Sequence, residues 1–109
     1  MVQPVYSARE RPFALPTDLE DLEGPKARGV VTLPLHIDWS RQRSYDLDDR
    51  ADRRRLYEQV LREGTLEDLR RYIDVDHLVD VWEELYLPAE IKQAWWKLLT
   101  EERGLQLRC

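Results

Sequence analysis

Between residues 65 and 99 the chain reads TLEDLRRYIDVDHLVDVWEELYLPAEIKQAWWKLL, and apolar side chains return there at the three- and four-residue spacing of buried helix faces. The breaks in that pattern carry helix-starting residues, so the stretch divides into several helices. Thr65, with Asp68 three positions on, has the form of a capping box, and Leu66, Leu69, Tyr72 and Ile73 follow on one side. Asp74 caps the next helix, which carries Val75, Leu78, Val79, Trp82, Leu85 and Tyr86 on one face. Pro88 suits the first position of the last helix, which runs to about Arg103 before Gly104 and turns Ile91, Ala94, Trp95, Leu98 and Leu99 inward. Upstream, Asp46, Asp48 and Asp49 supply caps for a helix from about Asp49 to Glu63 that Gly64 ends, with Leu56, Tyr57, Val60 and Leu61 inward and its arginines outside. Four helices joined by such short connections predict a compact bundle or stacked hairpins over 48–104, with a tail over 105–109.

The N-terminal half has a different pattern. Over 30–39, Val31, Leu33, Leu35, Ile37 and Trp39 alternate with Thr32, Pro34, His36 and Asp38, the period of a strand. Pro34 confines that strand to an edge, and 44–47 is placed to return as its hairpin partner within a segment 30–47. Residues 1–29 hold four prolines and few large apolar groups, which reads as a flexible arm. Within it, Thr17 and Glu20 suggest a short helical turn with Leu19 and Leu22 on one side. The fold class expected is therefore mainly α: a small four-helix domain preceded by an extended strand or β-hairpin and a flexible N-terminal arm.

A chain of 109 residues with 42% hydrophobic and 36% charged residues suits one soluble domain, and no apolar run approaches the ~20 residues that cross a bilayer. The start lacks the apolar core of a secretory signal, so a cytoplasmic location is expected. The single cysteine, Cys109, allows no internal disulfide. A net charge of −5 argues against a broad nucleic-acid-binding surface. The basic residues that could meet phosphate cluster at Arg50, Arg53, Arg54 and Arg55.

No catalytic constellation emerges. Asp74, Asp76, His77 and Asp80 form the best candidate metal cluster, but acids in a helix's first turn have a simpler role as caps and dipole partners. No serine, histidine or cysteine arrangement of a nucleophile is present, nor a glycine-rich phosphate loop, so the chain reads as a non-enzyme with no metal and no cofactor. Helix-turn-helix binding is disfavoured because the second helix would carry Asp76, Asp80, Glu83 and Glu84 into the groove. Trp96, about 100° around the helix from Trp95, either widens the core face or marks an interface.

The segment with LPLHIDWS, the LREGT helix junction, the step from Trp82 to Pro88 and the pair Trp95 and Trp96 resembles small bacterial proteins paired with nucleotidyltransferase-type toxins of the abortive-infection class. The likeness covers residues 30–99. It implies an antitoxin: a protein-interaction module that neutralises its partner by occlusion. The strand residues Leu33, Leu35, Ile37 and Trp39 would lie on the partner, with Trp96 as an anchor, and Asp76, Asp80, Glu83 and Glu84 would face a basic cleft. The alternatives are a dimeric DNA-binding regulator acting through Arg50, Arg53, Arg54 and Arg55, and a structural or adaptor protein. The chain's own helices and a second copy of the chain are the other occupants expected for the apolar strand face.

Overall fold

Helix α1 (Arg50–Glu63) begins where the Asp49 side chain accepts the N–H of Asp52 and ends at Gly64, whose own N–H returns to the Val60 carbonyl. In the computed structural model, which describes residues 13–38 and 44–109, α1 is followed by α2 (Leu66–Tyr72), α3 (Val75–Asp80) and α4 (Ala89–Arg103). A Cβ at position 64 would lie 2.6 Å from the Val60 carbonyl oxygen, so close approach, and not backbone angle, requires glycine there. Thr65 and Asp68 form the expected capping box, in which each side chain takes the other's backbone N–H. Asp74 caps α3 by accepting from Asp76 and His77, and Gly104 ends α4 in the left-handed region at φ 63°. Pro88 stands just before α4 as its N-cap, one position earlier than expected.

Strand β1 (Val30–Thr32) pairs antiparallel with β2 (Ser44–Asp46), Val31 opposite Tyr45, and β2 packs on α1. The strand expected over 30–39 therefore stops at Thr32. Pro34 cannot donate to a ladder, and its carbonyl instead accepts from Ile37 and Asp38, each at 3.0 Å, which curls the chain into a turn. Leu33 and Ile37 consequently point into the core from the two ends of that turn, while Leu35 is 59% exposed. Trp39 lies outside the described residues.

Two further expectations change. The third helix does not continue to Tyr86: α3 ends at Asp80, and a 3-10 turn (Trp82–Glu84) leads to an extended connection. The reason lies in the hydrogen bonds. The Tyr86 N–H, which helix continuation would send to the Trp82 carbonyl, goes to Glu58 Oε2 at 2.7 Å. Lys92 Nζ takes the carbonyls of Trp82 (2.8 Å) and Leu85 (3.1 Å) while sitting 4.5 Å from the centre of the Trp82 ring. Pro88 also disfavours helical geometry just before it.

The arm is the other change. Residues 13–29 lie against the helices and are not loose: a 3-10 turn (Leu19–Leu22), capped by Asp18 and not by Thr17, buries Leu19 and Leu22 in the core. The Leu19 N–H reaches Glu102 of α4, and the Ala27 N–H reaches the Arg71 carbonyl in the last turn of α2. Residues 1–12 lie outside the described residues.

The core runs from Leu22 through Tyr57, Leu61 and Leu69 to Trp82 and Trp95, both of which are fully buried. Replacing Gly64 by Ala is expected to lower unfolding free energy by about 1–3 kcal/mol in urea denaturation, because the new methyl meets a backbone oxygen that cannot swing away. Lys92→Met, which keeps the aliphatic stem but strands two carbonyls, is expected to cost a similar amount, about 1–3 kcal/mol, by the same measurement.

Candidate functional site

The outer face of α1 meets the end of α3 along a seam of charge. Arg50 donates through Nη1 to Asp80 Oδ2, and through Nη2 to the Asp80 carbonyl at 2.9 Å and to Glu84 Oε2. Arg53 Nη2 stands 3.6 Å from the same Asp80 carboxylate, and its Nη1 donates to the Leu47 carbonyl. One turn on, Arg54 pairs with Glu58 at 2.8 Å, and Arg55 pairs with Asp52 at 3.0 Å. The hydrogen bond from Arg50 holds the Glu84 carboxyl below its ordinary range against a weaker effect of burial, and that same bond raises the Arg50 guanidinium.

Of the four arginines considered for nucleic acid, Arg50 and Arg53 thus meet two of the acids considered for a basic partner, Asp80 and Glu84, while Arg54 and Arg55 pair with Glu58 and Asp52 of their own helix. The sequence placed opposite charges in separate elements, and the fold presses them together. Asp76 pairs with Arg103 at 3.2 Å from an exposed position, and Glu83 is exposed on the 3-10 turn. The cluster of Asp74, Asp76, His77 and Asp80 does not converge. Asp74 serves the α3 N-terminus, Asp76 turns to Arg103, and Asp80 turns to Arg50.

The apolar candidates are redistributed as well. Leu33 and Ile37 belong to the core and are unavailable to a partner, whereas Leu35 stands out between them. Trp96 is half-buried, and its indole N–H donates to the Leu107 carbonyl at 2.7 Å, so the tail covers it. Trp82 does likewise to the Arg108 carbonyl at 2.6 Å. The large exposed apolar residue that the helical pattern hid is Tyr86, 84% exposed because the chain leaves the helix before reaching it. Pro88, two residues on, was the available signal for that exit.

Leu35 and Tyr86 project from loops that both attach to the same part of α1. Gln59 donates to the Ile37 carbonyl, and Glu58 accepts from the Tyr86 backbone. The Leu35 loop is also tied to α2 by His36 Nε2 and Asp68 Oδ2, 2.6 Å apart. Burial opposes ionisation of Asp68, but the hydrogen bonds from His36 and Thr65 outweigh it and hold the carboxyl below its ordinary value. Leu35 and Tyr86 are exposed side chains of the apolar and aromatic types that protein contacts bury at their centres. Comparison with protein-family models, curated proteins and solved structures gives no match.

Because the Asp68 pKa is depressed in the folded state, its contribution to stability is complete above the ordinary value of 3.8 and is lost as pH falls through the lower folded value. Asp68→Asn is therefore expected to remove most of its stabilisation at pH 6 and to show a shallower loss of thermal stability below pH 4 than the parent, as read by circular dichroism melts across pH.

Proposed function

We propose that this chain is a non-catalytic protein-interaction module working in the cytoplasm as an antitoxin, one that occludes a nucleotidyltransferase-type toxin. The observation that supports this reading is the pair of exposed apolar groups, Leu35 and Tyr86, held on anchored loops beside a face whose charges are already paired. Anchored loops lose little freedom on binding, and an exposed tyrosine brings large contact area with few rotatable bonds. The contact envisaged is therefore apolar at its centre, with Asp76 and Glu83 at the rim and the paired charges of Arg50, Arg53, Asp80 and Glu84 as surround. Among the described residues no helix is long and apolar enough to cross a membrane.

The DNA-binding alternative draws less support, since the carboxylates paired with Arg50, Arg54 and Arg55 would have to be displaced before phosphate was met. The test is co-expression with a nucleotidyltransferase-type toxin of the abortive-infection class from the same host. A complex of fixed stoichiometry that abolishes nucleotidyl transfer is expected, and Tyr86→Ala and Leu35→Ala should each weaken it at least tenfold, about 1.4 kcal/mol, without lowering Tm. Absence of a complex, or affinity indifferent to both variants, would retire this reading.

A further inference from the structure

Away from the Tyr86 surface, the segment 24–29, with sequence GPKARG, bridges over the start of α1 and the junction of α2 with α3, leaving a cavity of about 640 Å³. That size lies within the range of small-molecule sites and well above what a single ion fills. Its walls are unusually rich in donors. Lys26 and Arg28 come from the bridging segment, Arg53 and Tyr57 from α1, and His77 from α3.

The donors retain unused capacity. Arg53 spends Nη1 on the Leu47 carbonyl and keeps Nη2 3.6 Å from Asp80, while its Nε is buried with no hydrogen-bond partner among the described residues. The Tyr57 hydroxyl oxygen accepts the Asp74 N–H at 2.9 Å, which leaves the phenolic proton to donate. Burial pushes the Tyr57 pKa up to about 12, with the Asp74 carboxylate adding to this and Arg53 opposing it, so the proton stays on. Among the described residues Lys26 Nζ bonds to the main-chain carbonyls of Leu22 and Arg70, and burial lowers its pKa against a smaller pull from Asp74. Two carboxylates line the cavity in return. Asp74 is occupied at Oδ1 by two N–H groups of α3, and Asp48 is exposed. Three cationic side chains thus face a cavity with two acids, within a protein of net charge −5.

We propose that this cavity binds a small phosphate monoester, its phosphate held by Lys26, Arg28 and Arg53 with Tyr57 donating, and its organic body against Tyr57 and Tyr72. Phosphate is favoured over a carboxylate because donors approach from three separate segments, and a tetrahedral group with three terminal oxygens can meet all of them while a planar carboxylate cannot. The volume beyond the phosphate and the two tyrosines call for an organic substituent.

The experiment is isothermal titration of the intact protein with AMP, adenosine and pyrophosphate in parallel, at low salt. Saturable 1:1 binding of AMP is expected, with adenosine at least tenfold weaker. Arg28→Gln, at an exposed position, should weaken AMP at least tenfold, as should Arg53→Gln provided that its melt remains cooperative. Arg62→Gln, at the far end of α1, should leave AMP affinity within twofold. Pyrophosphate binding as tightly as AMP would overturn the monoester assignment. No saturable AMP binding below about 10 mM, or equal affinity in Arg28→Gln and the parent, would overturn the site itself.

Discussion

Every α-helix leaves four N–H groups at its start and four carbonyls at its end without an internal partner, so a helix of six or seven residues has more open backbone groups than closed ones. This chain contains two such helices in succession, α2 and α3, and the rest of the structure depends on how their ends are satisfied. Side chains do most of it. Thr65 and Asp68 close the start of α2, and Asp74 closes the start of α3 while its own N–H is taken by the Tyr57 hydroxyl. Arg50 takes the carbonyl of Asp80, the last residue of α3, and Lys92 takes those of Trp82 and Leu85 just beyond. Helix ends are therefore also the points at which distant elements are fastened.

That role explains the fate of the charges. A composition more than a third charged suggests surfaces available to partners, yet the cations at the centre of the fold are committed to carbonyls and carboxylates of the same chain. Exposed pairs of this kind add little stability on their own. Their larger effect is on recognition, because a partner that relied on them would first have to separate them. What remains for recognition is an exposed aromatic, an exposed leucine and valine, and a recessed group of donors with capacity to spare.

The parts of the fold that were legible in the sequence are those whose cause is local. Asp49, Thr65, Asp74 and Gly104 mark helix ends because each acts on backbone within a few positions, and they stand where expected. The misread parts have ambiguous local causes. Leu33, Leu35 and Ile37 fit a strand by alternation, but Leu33 and Ile37 fit a turn equally well, and the bonds from Gln59 and His36 across the fold accompany the turn. Val75 to Tyr86 fits one helix by periodicity, and the exit before Tyr86 is fixed by Glu58 and Lys92, 28 residues before and six after it. The candidate site was legible only as a roster of residue types. Which arginine would meet which acid is a property of helix packing, and the cavity beneath 24–29 forms only because a segment expected to be loose lies across the helices.

The three tryptophans of the helical half sit in unlike settings. Trp96 gives its indole proton to a carbonyl 11 residues downstream, Trp82 gives its own to one 26 residues downstream, and the Trp95 indole nitrogen is buried with no acceptor among the described residues. Lifting the tail is enough to release the first two, whereas the Trp95 proton meets water only when the core itself parts. Their exchange with solvent forms a ladder of opening free energies, with tail detachment on the lower rungs and global unfolding at the top.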